Sequence, residues 1–526
     1  MLRKMCFQEL SSRRIAGWVF LGLVVGLAVA IRWRINFSQK LMPGNNGAYY
    51  LVQVRSLLED GRLHISAPPF VFYMEALAAW VLLMLRAGSS ADCIFWACKG
   101  VDSVLPALAA VPAFLLTRAW SRGRTGSLWP AFTVSLFSVL YFPALLMTGD
   151  FHKNAAGMVW LLFFIYLLYL SLKHQAWKHY LLSGLFLVLT GLTHQGPFAV
   201  ALLLLLVVAA IPALAGMTPA FAGVACPRAS AGSPPRKWGS FLSGQMLRQI
   251  AKLAAIAIIL LIPAAAALYF SLGSLGTREL INVIPWPIGF FERPMLFAIL
   301  TGGGGIFGGF ANLVNLGIVT VIAILGIILL RRRWPTLPQP DRTLALAAAI
   351  TTLFMASPLI GLRYSGRLLL MAYAPAAVAL AFILTRPDNR PTRWAVTAII
   401  LASTVTLSAA LLRYGRPASI TEPAYRELHQ MVGLMPEPKK SLVVARHGLE
   451  WWAAWVLQTD VAEAYRVDAE TISKYRAVLY LQQIADVPSY GPGGPGGQPF
   501  PEAQAPAEAE VIFQGRYFRL ARSSAK

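Results

Sequence analysis

Residues 128–172 read LWPAFTVSLFSVLYFPALLMTGDFHKNAAGMVWLLFFIYLLYLSL, two apolar runs parted by Gly149-Asp150-Phe151-His152-Lys153-Asn154. Each run approaches the roughly 20 residues that a helix needs to cross hydrocarbon. The break between them packs an acid, an imidazole and an amine into one short turn. Ionisable groups this close to hydrocarbon are costly unless they face protein or a water-filled cavity, so a carboxylate at such a boundary marks a candidate functional site. The plain alternative is a polar turn that caps two helices.

Working outward, apolar runs recur at 15–31, 101–120, 128–147, 155–172, 180–193, 198–215, 254–272, 313–330, 344–362, 368–385 and 394–412. That makes about eleven spans, of which 180–193 is short enough to be a half-span. With 57% hydrophobic and 13% charged residues over 526 positions, the composition excludes an ordinary soluble protein and predicts an all-α polytopic membrane protein.

The formal net charge of +23 invites a nucleic-acid reading, which the placement of the charge excludes. Basic residues collect in short segments between the runs: Arg3, Lys4, Arg13 and Arg14, then Arg118, Arg122 and Arg124, Lys173 and Lys178, Arg228, Arg236, Lys237 and Arg248, Arg331, Arg332 and Arg333, and Arg386, Arg390 and Arg393. This is the positive-inside pattern of cytoplasmic loops. The alternation holds if the apolar stretch 70–85, which contains Glu75, lies along the membrane as a juxtamembrane helix. The N-terminus is then cytoplasmic, and Asp150 and everything beyond Leu412 lie outside. The first run reads as a signal anchor without a cleavage site.

The first outer loop, 32–100, is patterned. Asn45 or Asn46 is placed to cap a helix beginning at Gly47, in which Leu51, Val54, Leu57 and Leu58 recur at helical spacing and which Gly61 closes. Pro68 and Pro69 start the juxtamembrane helix. Cys93 and Cys98 share this loop, and their offset within a predicted helix favours buried thiols over a disulfide; Cys6 and Cys226 fall in cytoplasmic segments. The segment 215–252 reads as a basic, Pro/Gly-rich cytoplasmic loop. The segment 272–310, with Arg278, Glu279, Asn282, Trp286, Glu292, Arg293 and a glycine run, reads as a lid or substrate loop.

Two domains result. Residues 1–412 form the transmembrane domain. Residues 413–526 form a small C-terminal α/β extracytoplasmic domain, with strands at 441–445, 477–481, 511–513 and 517–520, a helix at 448–458, and a disordered insertion at 491–510.

On this topology four polar segments share the outer face: 45–55, the Asp150 turn, Thr193-His194-Gln195-Gly196-Pro197, and Arg363-Tyr364-Ser365-Gly366-Arg367. Outward-facing Arg363 and Arg367 break the charge rule and call for an anionic partner. Together with the long first loop, Gly47-Ala48-Tyr49-Tyr50 followed by Arg55, and the external tail, the pattern resembles the polytopic C-type glycosyltransferases. Among them, the aminoarabinose transferases and protein O-mannosyltransferases, which use polyprenyl-phosphate sugars, look nearest.

The resemblance implies a transferase of a bacterial inner membrane that moves a sugar from a polyprenyl-phosphate donor to a lipid, glycan or protein acceptor. It places Arg363, Arg367 and His194 on the donor phosphate. The first-loop motif and the cationic turn add Asn45, Asn46, Tyr49, Tyr50, Arg55 and Tyr364 as candidate substrate-binding residues, and placement in the outer segments adds Glu75, His152 and Lys153. The chain departs from the family where a first-loop carboxylate would fall on Asn45 or Asn46, neither of which takes a proton at neutral pH. Asp150 is then the candidate catalytic base. No cofactor is singled out; a divalent metal stays open, with the lone Asp150 arguing against a tight metal site unless Glu75 supplies a second acid. Two other readings stay open: a non-catalytic protein of this type that binds lipid-phosphate or glycan, and a lipid-linked sugar transporter. A shared site requires Asp150 to lie against residues 45–50.

Overall fold

The computed structural model describes residues 2–121, 128–217, 294–295, 310–386, 390–435, 437–464, 467–486 and 500–524. The run 254–272, the basic loop around Cys226 and, but for Pro294 and Met295, the outer segment from Arg278 to the glycine run lie outside the described residues.

By length and composition, seven helical segments among the described residues suffice to cross a membrane: Ile15–Phe37, Ser90–Ser121, Trp129–Leu146, His152–His174, Asn312–Thr336, Tyr364–Leu384 and Trp394–Arg413. The runs at 180–193 and 198–215 lie in the helices Trp177–Thr193 and Gln195–Met217, whereas the run expected over 344–362 is helical only to Met355, in Gln339–Met355, and breaks before the helix that opens at Leu362. Large apolar side chains face outward on these helices, Leu23 at 62%, Leu206 at 67% and Val405 at 65% exposure. Such faces are stable against hydrocarbon and not against water. The protein is an integral membrane protein.

Local sequence sets the breaks. Pro106 falls where the long span changes from the helix Ser90–Val104 through a tight turn at Leu105–Ala109 into Ala110–Ser121. Pro143 starts the short helix Phe142–Leu146 after Tyr141, whose backbone is extended. The first-loop helix runs Gly47–Asp60 and ends at Gly61 in the left-handed conformation (φ 68°). The helix expected after Pro68 and Pro69 is Phe70–Met84, too short to be a span.

The tail carries a five-stranded sheet in the order β2-β1-β3-β5-β4, with β1 Ser441–Ala445, β2 Asp460–Glu463, β3 Ala477–Gln483, β4 Glu510–Gln514 and β5 Phe518–Ser524. β1 pairs in parallel with β2 and β3, and β5 runs antiparallel to β3 and β4. Sequence reading missed β2, which is only half-buried and shows little alternation. The expectation of disorder over 491–510 needs correction for 500–510. There Ala503 is buried and its carbonyl accepts from Gln482, while the carboxylate of Glu502 accepts from the backbone N–H of Gln483, so the polar backbone is satisfied along the sheet. Positions 491–499 lie outside the described residues.

Two cores matter for function. One runs through the spans. The other is shared by the first outer loop and the tail: Tyr50, Leu51, Val54, Phe72 and Ile94 pack in one cluster with Leu449, Trp452, Trp455 and Leu479. The far end of the helix His152–His174 is held by a separate polar group, in which Tyr169 donates to Asp341, Asp341 pairs with Arg386 and Lys173 donates to Tyr169. At 1.5 Å per helical residue this lies about 25 Å from the Asp150 turn. The basic segments at Lys173 and Arg386 therefore stand at the opposite end from the first loop.

Candidate active site

The Asp150 turn is built by two loops that cross in contact. Gly44 and Gly149 both adopt positive φ (80° and 83°). A Cβ on Gly44 would fall 2.5 Å from that of Asp150, and one on Gly149 would fall 2.7 Å from Pro43. Only glycine allows this crossing. The segment is further fixed by Gly44 N–H, which donates to the carbonyl of Pro417, and by Gly149 N–H, which donates to Asp102 Oδ2 (2.8 Å).

The crossing brings Asp150 against the first loop. Its Oδ1 accepts from the backbone N–H of Asn46 (2.7 Å) and from the Asn46 side-chain amide (3.0 Å), and its Oδ2 accepts from Arg416 (2.7 Å). Asp150 is 1% exposed. Asn46 occupies the position before the first-loop helix, as the capping reading expected, but its side chain makes no cap and serves the carboxylate instead. Asn45 is buried beside it, its carbonyl oxygen close to Gly448 of the tail.

Beneath lies a buried polar layer. His152 Nδ1 and Glu75 Oε1 share a hydrogen bond of 2.7 Å, and His152 Nε2 stands 3.8 Å from Asp102 Oδ2. The Tyr50 ring stacks on His152 with centroids 3.8 Å apart. Asn36 bridges to Asp102 and Ser103, and Arg32 reaches Thr148 and the carbonyl of Ala144. Each of these buried groups makes at least one hydrogen bond, while Arg32 Nε, Glu75 Oε2 and Asp102 Oδ1 have none among the described residues. Glu75 and His152 belong to this layer rather than to an open surface.

Above it stands a cationic group. Lys153 Nζ donates to Tyr49 Oη (3.2 Å) and lies over the Tyr49 and Phe72 rings, and Tyr49 in turn packs on Trp451 of the tail. His194 ends the helix Trp177–Thr193, and its Nδ1 accepts from the N–H of Gly196 (3.0 Å). That bond puts the ring proton on Nε2. Desolvation, with the charges of Lys153 and Arg367, holds the His194 pKa well below its ordinary value, so the ring is neutral at pH 7. Lys153, His194 and exposed Arg367 therefore converge electrostatically, although they come from three distant segments.

The remaining predicted residues divide. Arg55 lies apart from this group: its guanidinium donates to the carbonyls of Trp455 (2.6 Å) and Ala454 (2.9 Å), at the end of the tail helix Leu449–Leu457, and lies over the Trp455 ring. Tyr364 is half-buried in the first turn of the helix Leu362–Met371. The side chain of Arg363 lies outside the described residues. Sequence reasoning passed over Asp102, Asn36, Arg32 and Arg416. Asp102 carried a usable signal, as an acid at the start of an apolar run. Cys93 and Cys98 are buried free thiols, as expected.

No protein-family model and no curated protein sequence matches the chain. Solved structures match its fold. The archaeal oligosaccharyltransferase AglB from Archaeoglobus fulgidus, in complex with an inhibitory peptide and a dolichol-phosphate, superposes with a TM-score of 0.57 at 15% identity, over 89% of this chain and 69% of that one. ArnT from Cupriavidus metallidurans superposes with 0.54 bound to undecaprenyl phosphate (11% identity, 96% of this chain and 98% of that one) and with 0.55 in the apo state (12%, 97% and 98%). At such identities the likeness is one of fold, and the fold is the C-type glycosyltransferase fold that the sequence resembled.

Proposed function

We propose that this chain, built on the C-type glycosyltransferase fold, is a membrane glycosyltransferase that takes its sugar from a polyprenyl-phosphate carrier at the face formed by the first loop and the tail. The observation that carries the reading is the hydrogen bonding of Asp150 to Asn46. The first loop carries asparagine at 45 and 46, where the family's carboxylate would fall, and Asp150 supplies one from the next loop, a single hydrogen bond away.

In this reaction an acceptor nucleophile attacks the anomeric carbon, the bond from that carbon to the phosphate oxygen breaks, and the polyprenyl phosphate leaves with the electron pair. Lys153, Arg367 and the Nε2–H of neutral His194 face the developing charge on that phosphate and stabilise it more than they stabilise the bound donor. Lipid phosphates bound to AglB and ArnT are consistent with an anion of this class on this fold. With Oδ1 and Oδ2 both engaged and almost no exposure, Asp150 acts first by orientation. It holds the Asn46 amide through its N–H₂ and leaves the amide oxygen to accept from an acceptor hydroxyl. The proton passes to Asp150 only as the first loop shifts on binding. Tyr364 stands three residues before Arg367 on the same helix and borders this cationic side.

Moving the charge tests the proposal. Sugar transfer from a labelled polyprenyl-phosphate donor is measured with purified protein and membrane lipid, glycan and protein fractions as acceptors. The Asp150→Asn variant is expected to lose about a hundredfold in kcat/KM. Asn46→Asp placed in that background restores at least about tenfold, because the carboxylate then sits in the first loop within reach of Arg416. Full activity of Asp150→Asn, or lipid-phosphate binding by the native protein without any turnover, refutes the assignment.

A further inference from the structure

The tail contains a second cluster of ionisable groups, on residues that the reaction just described does not use. His447 Nδ1 lies 3.1 Å from Glu450 Oε1 and 2.9 Å from Glu463 Oε1, and the three atoms lie within 4.8 Å of one another. We propose that His447, Glu450 and Glu463 bind a zinc-class divalent cation that clamps the tail against the first loop.

Geometry is the first support. A tetrahedral ion with bonds of about 2.0–2.1 Å holds its ligand atoms roughly 3.3–3.5 Å apart. The two separations from His447 fall short of that by a few tenths of an ångström, and the carboxylate oxygens of Glu450 and Glu463 lie within 4.8 Å of each other, so side-chain rotation brings all three to one ion. The ligands come from three backbone positions fixed in different ways: His447 in the turn after β1, Glu450 in the first turn of the helix Leu449–Leu457, and Glu463 at the end of β2, which pairs with β1. His447 and Glu450 stand three residues apart, so they share one face of that turn.

Unmet polar demand is the second, independent support. Glu450 is 1% exposed, and while its Oε1 meets His447, its Oε2 has no hydrogen-bond partner among the described residues. The imidazole N–H reaches Oε1 and leaves this spare oxygen of Glu450 unserved. Charge points the same way. Among the described residues, Glu450, Glu463 and Glu502 share this corner with the permanent cation Arg446. A divalent ion with neutral His447 balances the set, whereas a protonated His447 leaves a negative charge over. Imidazole beside carboxylates favours zinc over calcium or magnesium, which take all-oxygen sites.

The position gives the ion a role. Gly448, between the proposed ligands, has φ 90° and packs so closely that a Cβ would come 3.3 Å from the carbonyl oxygen of Asn45. Ser419 donates to the Gly448 carbonyl and accepts from Trp452. An ion at His447 therefore fixes the backbone on which Asn45 rests, one residue from the Asn46 that Asp150 holds.

The full chain in detergent is stripped with a chelator, dialysed against zinc chloride and passed through gel filtration, and bound zinc is measured by plasma mass spectrometry alongside the melting temperature. The native protein is expected to retain about one zinc per chain and to melt higher with zinc than without. His447→Gln and Glu463→Gln each reduce retention at least about tenfold and abolish the melting shift, while Asp150→Asn keeps both. Native protein that retains no zinc, or a loss from Asp150→Asn equal to that from the His447 and Glu463 variants, overturns the proposal. So does a melting shift given by calcium or magnesium and not by zinc. The native measurement stands even if a variant fails to fold.

Discussion

Removing the Arg416 side chain isolates what the Asp150 pair contributes. Arg416 Nη2 lies 2.7 Å from Asp150 Oδ2, with the arginine side chain 13% exposed and the aspartate 1%. Arg416 also donates to the Thr148 carbonyl (3.3 Å) and lies over the Phe151 ring. In Arg416→Ala, Asp150 keeps the two donors of Asn46 on Oδ1 and loses the one counter-charge at hydrogen-bond distance among the described residues. Breaking a buried pair by deleting one partner costs about 3–5 kcal/mol, since the remaining charge is stranded out of water. That is a large fraction of the roughly 5–15 kcal/mol that holds a typical fold. The compensating double variant Asp150→Asn, Arg416→Met strands no charge and is expected to recover at least about 1.5 kcal/mol relative to Arg416→Ala. Denaturant midpoints of the detergent-solubilised protein, read by tryptophan fluorescence, measure both. An Arg416→Ala protein within about 1 kcal/mol of native refutes the reasoning, because it shows that water already screens the pair.

Two further outcomes follow from the cationic group. Lys153→Met removes a positive charge and its bond to Tyr49, and is expected to raise KM for the polyprenyl-phosphate donor about tenfold or more, with a weaker dependence on ionic strength than the native protein shows; unchanged KM removes Lys153 from the phosphate site. His194 has a depressed pKa in the folded protein, so its unfolded form takes up a proton first as pH falls. Stability is therefore unaffected by His194 above about pH 6.5 and declines below it by up to about 1.4 kcal/mol per pH unit. His194→Gln flattens that acid limb when unfolding is followed from pH 7.5 to 5, and an identical limb in both proteins counts against a neutral His194.

Local features were legible in the sequence wherever a short-range rule governs them. The first-loop helix begins at Gly47 and stops at Gly61, and the prolines at 68 and 69 open the next one. Strands β1 and β3 were visible as short Val/Leu runs. The apolar runs gave the membrane class. The site was half-legible: Asp150 and residues 45–50 were singled out separately, and the fold puts them in contact. What the sequence hid is long-range. Asp150 meets Asn46 across 104 positions and Arg416 across 266, and nothing in the composition near Arg416 distinguishes it from other tail arginines. Arg55 shows the converse. It sits in a motif that resembles a substrate loop, and its guanidinium instead holds the end of a helix four hundred residues away. The His447 cluster was missed because only one of its two spacings is local.

The shared core of first loop and tail also has a consequence for biosynthesis. Arg55 and its partner Trp455 are 400 positions apart. At a translation rate of about 5–20 residues per second, the first loop waits some 20–80 s for the segment that covers it. Throughout that interval Tyr49, Leu57, Phe72 and Phe95 lack the tryptophans of the helix Leu449–Leu457. The nascent chain thus carries an uncovered apolar surface beside the bilayer for most of its synthesis. A ribosome stalled before residue 449 leaves a product with its spans inserted and its first loop still open to aggregation or to proteases on that side of the membrane.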